Sequence, residues 1–479
     1  MRVVWGMAFQ LVVVSAACSE TKLSPPIDAG ADAGIVAVDA GVDAGPGGAG
    51  PGDAGPGDAG PGDAGPGDAG PGDGGPTDAG VVDAGWSGAW QPLGPPLGHE
   101  AQVYPAMALD SSGALLVAYV ELVEAPGAVT TELHVVRWSG TAWEPLGGAV
   151  ASSSDRFPYS APLFVRLAVE GTGRPVLAFG DSAPGATVGA FPLRTWVFEG
   201  SDWKPIPVPG SASELSGIAM SAGSDGQVRL VLATGHELRM LVLGASGWTE
   251  ALETLVHDAG VSEPELALAA DGAPLVGFSA AASPGSFGTL QAFRWSADAG
   301  WLDLGLPTPA AQGLLFHTPR IHGRSDGGVV VAASEWQFDP MTKLQVGVAV
   351  PVFALGEGGW SLLEDGGQPG GFALSEPIPG SPVGLQLAND VPVVVSTGAD
   401  GGVSLRALVS PGGAVFAPVL GELGAGTLVL MPDGSPLVGA VMPVSPLPGP
   451  EASDGGQVQI FHFTGTPPPP SSSGARRHR

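Results

Sequence analysis

One set of charged side chains that could bind a ligand shares a single position in a repeated strand. In the first copy of the repeat this position is Ala106, and later copies place there Arg166, Glu265, Arg320 and Thr427. His322 and Gln386 lie two residues further on in their own copies. Guanidinium groups beside a carboxylate and an imidazole, around a concave surface, can orient a carboxylate or a sugar. We therefore take Arg166, Glu265, Arg320 and His322 as candidate ligand-binding residues. The alternative is a set of ion pairs that solvates a watery channel.

An aromatic pair could extend that site. Trp336 and Phe338 precede Lys343 in a stretch that we interpret as a loop at the same rim. Aromatic faces at such a rim can stack on a ligand, and we therefore add Trp336 to the candidate ligand-binding residues. The alternative is that these side chains anchor the loop by partial burial.

Other motifs offer little catalytic chemistry. Gly323 to Gly327 reads GRSDG, which formally matches a nucleophile elbow around Ser325, but that motif needs a strand, a turn and a helix. Here it falls in a predicted hairpin turn. The eight histidines are scattered without an H-E-x-x-H motif, and no Gly-rich phosphate loop joins a strand to a helix. We expect no catalytic residue, no metal site and no cofactor.

A repeat of strands positions the candidate residues. Seven strand pairs begin near Pro105, Val165, Ser216, Pro264, Pro319, Val383 and Gly426. A turn glycine marks six of them, and the first and last of these are Gly113 and Gly434, so that successive copies are about 54 residues apart. That spacing is in the range of propeller blades. Apolar residues two apart, such as Met107 and Leu109, are the signature of strands.

Each strand pair is followed by a third strand, such as LHVVRW from Leu133, and six third strands are followed by a short fourth strand. These six open with an aromatic residue: Trp143, Trp203, Trp248, Trp301, Trp360 and Phe416. The seventh third strand runs instead into four prolines, which cannot continue a sheet. An unassigned outer strand, WSGAWQPLG, begins at Trp86. The sequence therefore predicts an all-β fold, a seven-bladed β-propeller of four-stranded blades over residues 86–463, whose last blade is closed by the N-terminal strand.

The N-terminus has the features of an export signal. Arg2 precedes an apolar run from Val3 to Val14, which is too short to span a bilayer as a helix. The residues SAAC then end at Cys18, the only cysteine, so no intramolecular disulfide can form. This segment resembles the lipobox of bacterial lipoproteins, and the resemblance implies a signal peptide at 1–17 and a lipid on Cys18. The alternative is ordinary secretory cleavage after Ala17.

Low-complexity segments flank the predicted propeller. Residues 18–85 contain four PGDAG copies and carry eleven aspartates and Glu20 against Lys22. Such a segment cannot bury enough apolar surface to offset chain ordering, which predicts a disordered tether; calcium binding by its aspartates is the alternative. Residues 464–479, ending in ARRHR, are a predicted disordered tail, solvated or attracted to anionic lipid or polysaccharide.

The arrangement resembles bacterial exported propeller proteins on acidic Gly/Pro tethers. No WD40, kelch or sialidase Asp-box motif is present, so no family's active site can be transferred. The net charge of −29 argues against a nucleic-acid partner. We expect a monomeric binding or scaffold module for a protein or glycan, held by lipid on Cys18 in the bacterial cell envelope, at the outer membrane or cell surface. The alternative is a polysaccharide lyase or glycoside hydrolase acting in the central funnel.

Overall fold

The computed structural model describes residues 88–101, 105–125, 128–153, 163–180, 192–210, 215–281, 288–306, 314–338, 345–363, 384–397, 403–410, 413–416, 427–443 and 456–465. All regular secondary structure within these ranges is β-strand. The predicted signal peptide with Cys18, the tether 18–85 and the tail from residue 466 onward lie outside the described residues. The strands form seven separate antiparallel sheets, which we number as blades 1 to 7.

The first two strands of the described chain, β1 (Trp90–Pro92) and β2 (Leu97–Ala101), belong to the last blade. Blade 1 consists of β3 (Ala106–Leu109), β4 (Leu115–Ala125), β5 (Ala128–Trp138) and β6 (Trp143–Pro145), with β7 (Ala151–Ser153) on β5. Blade 2 consists of β8 (Leu163–Val169), β9 (Pro175–Gly180), β10 (Leu193–Glu199) and β11 (Asp202–Pro205). Blade 3 consists of β12 (Gly217–Ala222), β13 (Val228–Thr234), β14 (Glu237–Gly244) and β15 (Gly247–Glu250), with β16 (Leu255–Val256) on β14.

The remaining blades repeat this order from the innermost to the outermost strand. Blade 4 consists of β17 (Gly260–Leu268), β18 (Pro274–Ala281), β19 (Gly288–Ser296) and β20 (Gly300–Asp303). Blade 5 consists of β21 (Leu314–Gly323), β22 (Val329–Phe338), β24 (Val352–Gly356) and β25 (Gly359–Leu362), with β23 (Gln345–Ala349) on β22. Blade 6 consists of β26 (Gly384–Ala388), β27 (Val391–Thr397), β28 (Val403–Ser410) and β29 (Gly413–Phe416). Blade 7 consists of β30 (Leu428–Leu430), β31 (Pro436–Pro443), β32 (Gly456–Phe463) and then β1, with β2 on β32.

The predicted seven-bladed propeller is thus confirmed, including its closure. Trp90 pairs with Phe463 and Pro92 with Phe461 in the β1–β32 ladder. The backbone pairing continues beyond the strand, because the Leu93 amide donates to the Ile460 carbonyl at 2.8 Å and the Thr464 amide to the Ala89 carbonyl at 3.0 Å. The two ends of the folded chain therefore meet in one blade. Closure of this kind protects the sheet edges that a linear array would expose.

The hairpin turns between first and second strands have the backbone that their glycines allow. All six predicted turn glycines lie in the left-handed region, between φ 74° at Gly226 and φ 85° at Gly327. In blade 6, where no glycine is present, Asn389 and Asp390 take φ 50° and 64° instead. Asparagine and aspartate tolerate this region better than other side chains with a Cβ. These turns mark what we call the turn-side end of the central channel.

The core lies between blades. Every residue of β9 is buried, and Leu177 of that strand packs in one cluster with Leu116 and Ala118 of blade 1. A second cluster joins Val176 and Ala178 to Leu230 and Leu232 of blade 3. Because each sheet is covered on both faces, its second strand reads as a continuous apolar run. Each blade therefore depends on both neighbours for burial.

Five recurring tryptophans hydrogen-bond their own blade to the preceding one. The indole Nε1 groups donate to backbone carbonyls at 2.6–3.1 Å in four cases, which are Trp143 to Pro95, Trp203 to Leu146, Trp301 to Glu253 and Trp360 to Leu304. Trp248 donates instead to the Thr195 hydroxyl at 2.9 Å. Each acceptor belongs to the preceding blade or to the segment that follows its outer strand. The tryptophans repeat because a large apolar side chain with one directed donor joins each of blades 1 to 5 to the blade before it.

The prediction for blade 5 needs a correction. A continuous third strand from Val348 to Phe353 was expected, but β23 ends at Ala349 and β24 begins at Val352. Pro351 has no amide to donate, which interrupts the ladder at this point. The short extra strands β2, β7, β16 and β23 were also not predicted, since two to five residues carry too little periodicity.

Candidate functional site

The charged residues of the column lie inside the innermost strands, although the repeat predicted them at the strand starts: Arg166 is the fourth residue of β8, Glu265 the sixth of β17 and Arg320 the seventh of β21. Arg166 pairs with Ala178, Glu265 with Gly277 and Arg320 with Ala332, so each lies opposite a small residue of its second strand. The innermost strands contact one another in sequence around the ring. The column therefore lies around one end of the central channel, opposite the hairpin turns, and we call this the loop-side end.

A β-bulge precedes each charged member of the column. The register shifts between Leu163 and Arg166, between Ser262 and Glu265, and between His317 and Arg320. In two of these bulges a residue with a side chain takes a positive φ, 54° at Phe164 and 50° at Glu263. Bulges of this kind change the direction of a side chain, and strained backbone of this kind occurs preferentially at functional sites. Sequence periodicity could not reveal them, because a bulge inserts a residue without a compositional mark.

Glu265 and Arg320 form the central contact of the cluster. The Arg320 Nη1 atom donates to Glu265 Oε2 at 3.3 Å and to the Pro319 carbonyl at 3.1 Å. Both side chains are 23% exposed, so the pair is accessible to solvent from the channel. The contact is long for a charge-assisted hydrogen bond, which is ordinarily about 2.7–2.9 Å. It joins blade 4 to blade 5.

Arg166 approaches the same pair from blade 2. Burial lowers the pKa of its guanidinium; Glu265 opposes this shift, Arg320 adds to it, and Glu263 opposes it again. The group remains charged, as arginine does in proteins. Its hydrogen bond within the described chain is to its own Val165 carbonyl, at 3.1 Å.

Gly217 of blade 3 allows Pro264 and Glu263 of blade 4 to pack closely against blade 3. It occupies the same column, and a Cβ placed on it would lie 2.6 Å from Pro264 Cδ and 3.2 Å from the Glu263 amide nitrogen. No side chain can therefore stand at this position without displacing the bulge that carries Glu265. The glycine therefore lets blade 4 approach blade 3 closely beside Glu265.

His322 completes the cluster as a neutral imidazole. Burial lowers its pKa from 6.5, and Arg320 acts in the same direction, while Glu265 and a hydrogen bond with the Leu385 backbone oppose the shift. A histidine with a lowered pKa is unprotonated at neutral pH and can accept a proton. Arg166, Glu265 and Arg320 thus occupy equivalent positions around the channel, and His322 lies two residues nearer the hairpin turn of blade 5, where it pairs with Val330.

The lowered pKa of His322 predicts a pH-dependent stability. The unfolded chain binds a proton with a pKa near 6.5 and the folded chain only at lower pH, so protonation favours unfolding as the pH falls through 6.5. We expect the melting temperature to drop less between pH 7.5 and pH 5.5 in His322→Gln than in the unsubstituted protein. The control is His236→Gln, an exposed histidine of blade 3. Equal drops in all three proteins would contradict the prediction.

Thr427 of the column and Gln386, two residues beyond the column in blade 6, have structural contacts. The Thr427 hydroxyl donates to the Pro105 carbonyl, which joins blade 7 to blade 1. Gln386 donates to the Leu428 carbonyl at 3.4 Å, which joins blade 6 to blade 7. These residues help to hold the ring of innermost strands.

The loop assignment of Trp336 and Phe338 was wrong. Both residues lie in strand β22, where Trp336 pairs with Leu315 and Val348. Strand β22, from Val329 to Phe338, pairs with three other strands, β21, β23 and β24. It is therefore longer than the second strand that the repeat predicts. Binding by Trp336 stays a prediction.

Ser325 is part of a hairpin turn, not of a nucleophile elbow. The Gly327 amide donates to the Arg324 carbonyl at 3.1 Å, and β22 follows where the elbow would need a helix. The Ser325 amide and hydroxyl both donate to the Asp390 carboxylate of blade 6, the amide at 2.7 Å. Ser325 therefore links two blades.

A shallow cleft of about 200 Å³ lies at the turn-side end, between the hairpin turns of blades 1, 2 and 3. Its carboxylates already have cationic partners, since Asp110 pairs with Arg137 at 2.6 Å and Glu170 with Arg174 at 2.6 Å.

Within the described ranges, no group of three or more His, Cys, Asp or Glu side chains could hold a metal ion. No helix long and apolar enough to cross a membrane occurs in the part of the chain that the structure describes.

Solved structures of similar fold include enzymes, lectins and proteins of unknown function. The ulvan lyase of polysaccharide lyase family PL25, bound to -[GlcA(1-4)Rha3S]-, has a TM-score of 0.51 and 12% identity over 78% of this chain and 94% of that chain. A protein of unknown function from Dyadobacter fermentans has a TM-score of 0.43 and 13% identity, over 78% of this chain and 98% of its own. The lectin of Aleuria aurantia in complex with Fucα1-6GlcNAc has a TM-score of 0.38 and 11% identity, over 67% and 96%.

At these identities the similarity concerns the fold alone. No protein-family model matches the sequence, and no curated protein matches it either. The function must therefore be argued from the residues of this chain.

Proposed function

We propose that the protein is a glycan-binding module whose ligand engages the loop-side end of the central channel. The observation that carries this proposal is the channel cluster, Arg166, Glu265, Arg320 and His322, brought together by three bulged strands. Ion pairs that only solvate a channel need no such departure from regular strand geometry. Partly exposed guanidinium, carboxylate and imidazole groups supply the directed donors and acceptors that sugar hydroxyls require.

A binding experiment tests this assignment. The purified protein is applied to a glycan array beside the double variant Arg166→Ala, Arg320→Ala. The matched control is Arg229→Ala, Arg294→Ala, because these arginines pair with Asp225 and Asp271 in the hairpin turns at the opposite end. We expect a glycan signal that falls at least about tenfold in the channel variant, equivalent to about 1.4 kcal/mol, and that persists in the control. Equal signals from both variants would show that the glycan does not bind at the channel cluster. If none of the proteins gives a signal, the proposed glycan ligand is wrong and a protein partner is favoured.

A second candidate function, a polysaccharide lyase, is favoured by the neutral state of His322. An unprotonated imidazole near the Arg320 guanidinium can take the proton next to a uronate carboxylate while the arginine stabilises the developing charge; the electron pair then forms a C=C bond as the glycosidic C–O bond breaks and the sugar oxygen leaves. The ulvan lyase shows that this fold can carry such an activity in another protein. Incubation with uronate polysaccharides and measurement of the ultraviolet absorbance of unsaturated products tests the candidate. An unchanged absorbance removes the lyase and leaves the binding module.

We further propose that the module is exported and anchored in the bacterial cell envelope by a lipid on Cys18. The support is the sequence alone: the apolar run from Val3 to Val14, the small residues before Cys18 and the acidic tether that follows. Metabolic labelling with an alkyne fatty acid in a bacterial host is expected to label the protein but not Cys18→Ser. Labelling of neither protein would favour ordinary secretory cleavage after Ala17.

A further inference from the structure

The contact between Glu265 and Arg320 is longer than the arginine–carboxylate pairs described in the hairpin turns. At the turn-side end such pairs range from 2.5 Å for Arg294 with Asp271 to 3.0 Å for Arg324 with Asp326. The channel pair joins Arg320 Nη1 to Glu265 Oε2 at 3.3 Å. Arg320 therefore keeps most of its five donors free of carboxylate. At this distance Glu265 competes only weakly with an incoming anion for Arg320.

Arg166 offers a second guanidinium beside that pair. Among the described residues no carboxylate oxygen lies within 4.0 Å of it, and its hydrogen bond is to the Val165 carbonyl. Arg166 and Arg320 occupy equivalent positions on blades 2 and 5 around the channel, and the charge of Arg320 acts to lower the pKa of Arg166. Two like charges held together around a channel are stabilised by an anion between them.

From this geometry we infer that the ligand of the channel cluster is an acidic glycan, whose anionic group bridges Arg166 and Arg320 and displaces Glu265. This inference rests on the proposed glycan-binding function and adds the class of glycan. Glu265 then acts as an internal competitor that occupies Arg320 when no ligand is bound. Carboxylate and sulfate groups share the chemistry that a pair of guanidinium groups recognises.

The proposal makes an unusual prediction for Glu265→Gln. Loss of a charged residue from a binding site ordinarily weakens binding, but here it removes a competitor and leaves an amide of the same size. We expect the Kd for an acidic oligosaccharide to fall about tenfold in Glu265→Gln, and to rise at least about tenfold in Arg166→Ala and in Arg320→Ala. The affinity should also decrease with added salt.

Isothermal titration calorimetry of the full chain measures these constants with three matched probes. They are an oligogalacturonate, the same oligomer with its carboxyl groups reduced, and a sulfated neutral galactan oligomer. Binding of the oligogalacturonate alone identifies a carboxylate, and binding of the sulfated oligomer identifies a sulfate. Both results support the proposal when the reduced oligomer does not bind.

Three outcomes would overturn the inference. If the reduced oligomer binds as tightly as the acidic one, and Arg166→Ala weakens both, glycan binding at the channel stands and the acidic ligand is wrong. If Glu265→Gln binds the acidic oligomer more weakly than the unsubstituted protein, Glu265 is a ligand contact and not a competitor. If no oligomer and no glycan of the array binds, the proposed function fails together with the inference. Should Glu265→Gln not fold, Arg166→Lys serves instead, since a point charge without the planar fork should lose affinity for the acidic probe only.

Discussion

Deletion of residues 86–94 should lower the melting temperature by about 10 °C or more. The deletion removes β1, whose Trp90 ring packs edge-on against Phe463 at 5.2 Å, and exposes Phe463, which is fully buried in the closed ring. Loss of a well-packed tryptophan alone costs about 3–5 kcal/mol, and the backbone hydrogen bonds to β32 are lost as well. For a domain of this size each kcal/mol corresponds to roughly 2 °C. Calorimetry at a fixed protein concentration measures the shift.

A deletion of nine tether residues, 61–69, is the matched control and should leave the melting temperature unchanged. A synthetic peptide with the sequence of residues 86–94, added in excess, should restore part of the lost stability by pairing with β32. It should also suppress the association between molecules that an open strand edge permits. A melting temperature within 2 °C of the unsubstituted protein after the 86–94 deletion would show that the ring does not depend on this strand.

Gly217→Ala should affect stability and ligand binding together. Its Cβ would lie 2.6 Å from Pro264 Cδ and 3.3 Å from the Glu263 Cα, so the bulge that carries Glu265 must move. We expect a loss of about 1–3 kcal/mol in the free energy of unfolding, measured by urea denaturation. We also expect weaker binding of any channel ligand. Both effects should shrink when Pro264→Ala is added, since the clashing ring is then gone.

Gly358→Ala is the matched control for this substitution. Gly358 lies in the hairpin turn between β24 and β25, and a Cβ there would meet no atom within 4 Å. The free energy of unfolding of the Gly358→Ala variant should differ from that of the unsubstituted protein by less than about 0.5 kcal/mol. If Gly217→Ala is equally neutral, the close approach of blades 3 and 4 has no energetic consequence and does not position Glu265.

The fold could be predicted because its signals repeat. Turn glycines such as Gly113 and Gly272 need a left-handed backbone, and the tryptophan of the outer strand recurs because five blade junctions use its indole donor. The closure could be predicted because the first outer strand has no blade of its own and the last blade has no outer strand of its own. A single blade would have given a much weaker signal, since its strands are short and its apolar runs are compatible with other buried structures.

The candidate site was predicted only in part, for a physical reason. Alignment of the repeats placed Arg166, Glu265 and Arg320 in one column, and the ring brings that column together. The bulges, the role of Gly217 and the single contact between Glu265 and Arg320 depend on distances between blades that no linear pattern encodes. The buried Arg406 is a further example, because its contact with the Val350 carbonyl crosses from blade 6 to blade 5.

The adjacency of Ala89 and Thr464 has a consequence for engineering of the chain. Because these residues are joined by a hydrogen bond, a short peptide from Gly465 to Gly88 could connect the two ends covalently. New termini could then be opened in a surface connection between any two blades, giving a circular permutant with the same sheets. In such a permutant the ring would be held by a continuous main chain at the place where it is now held by a three-residue strand.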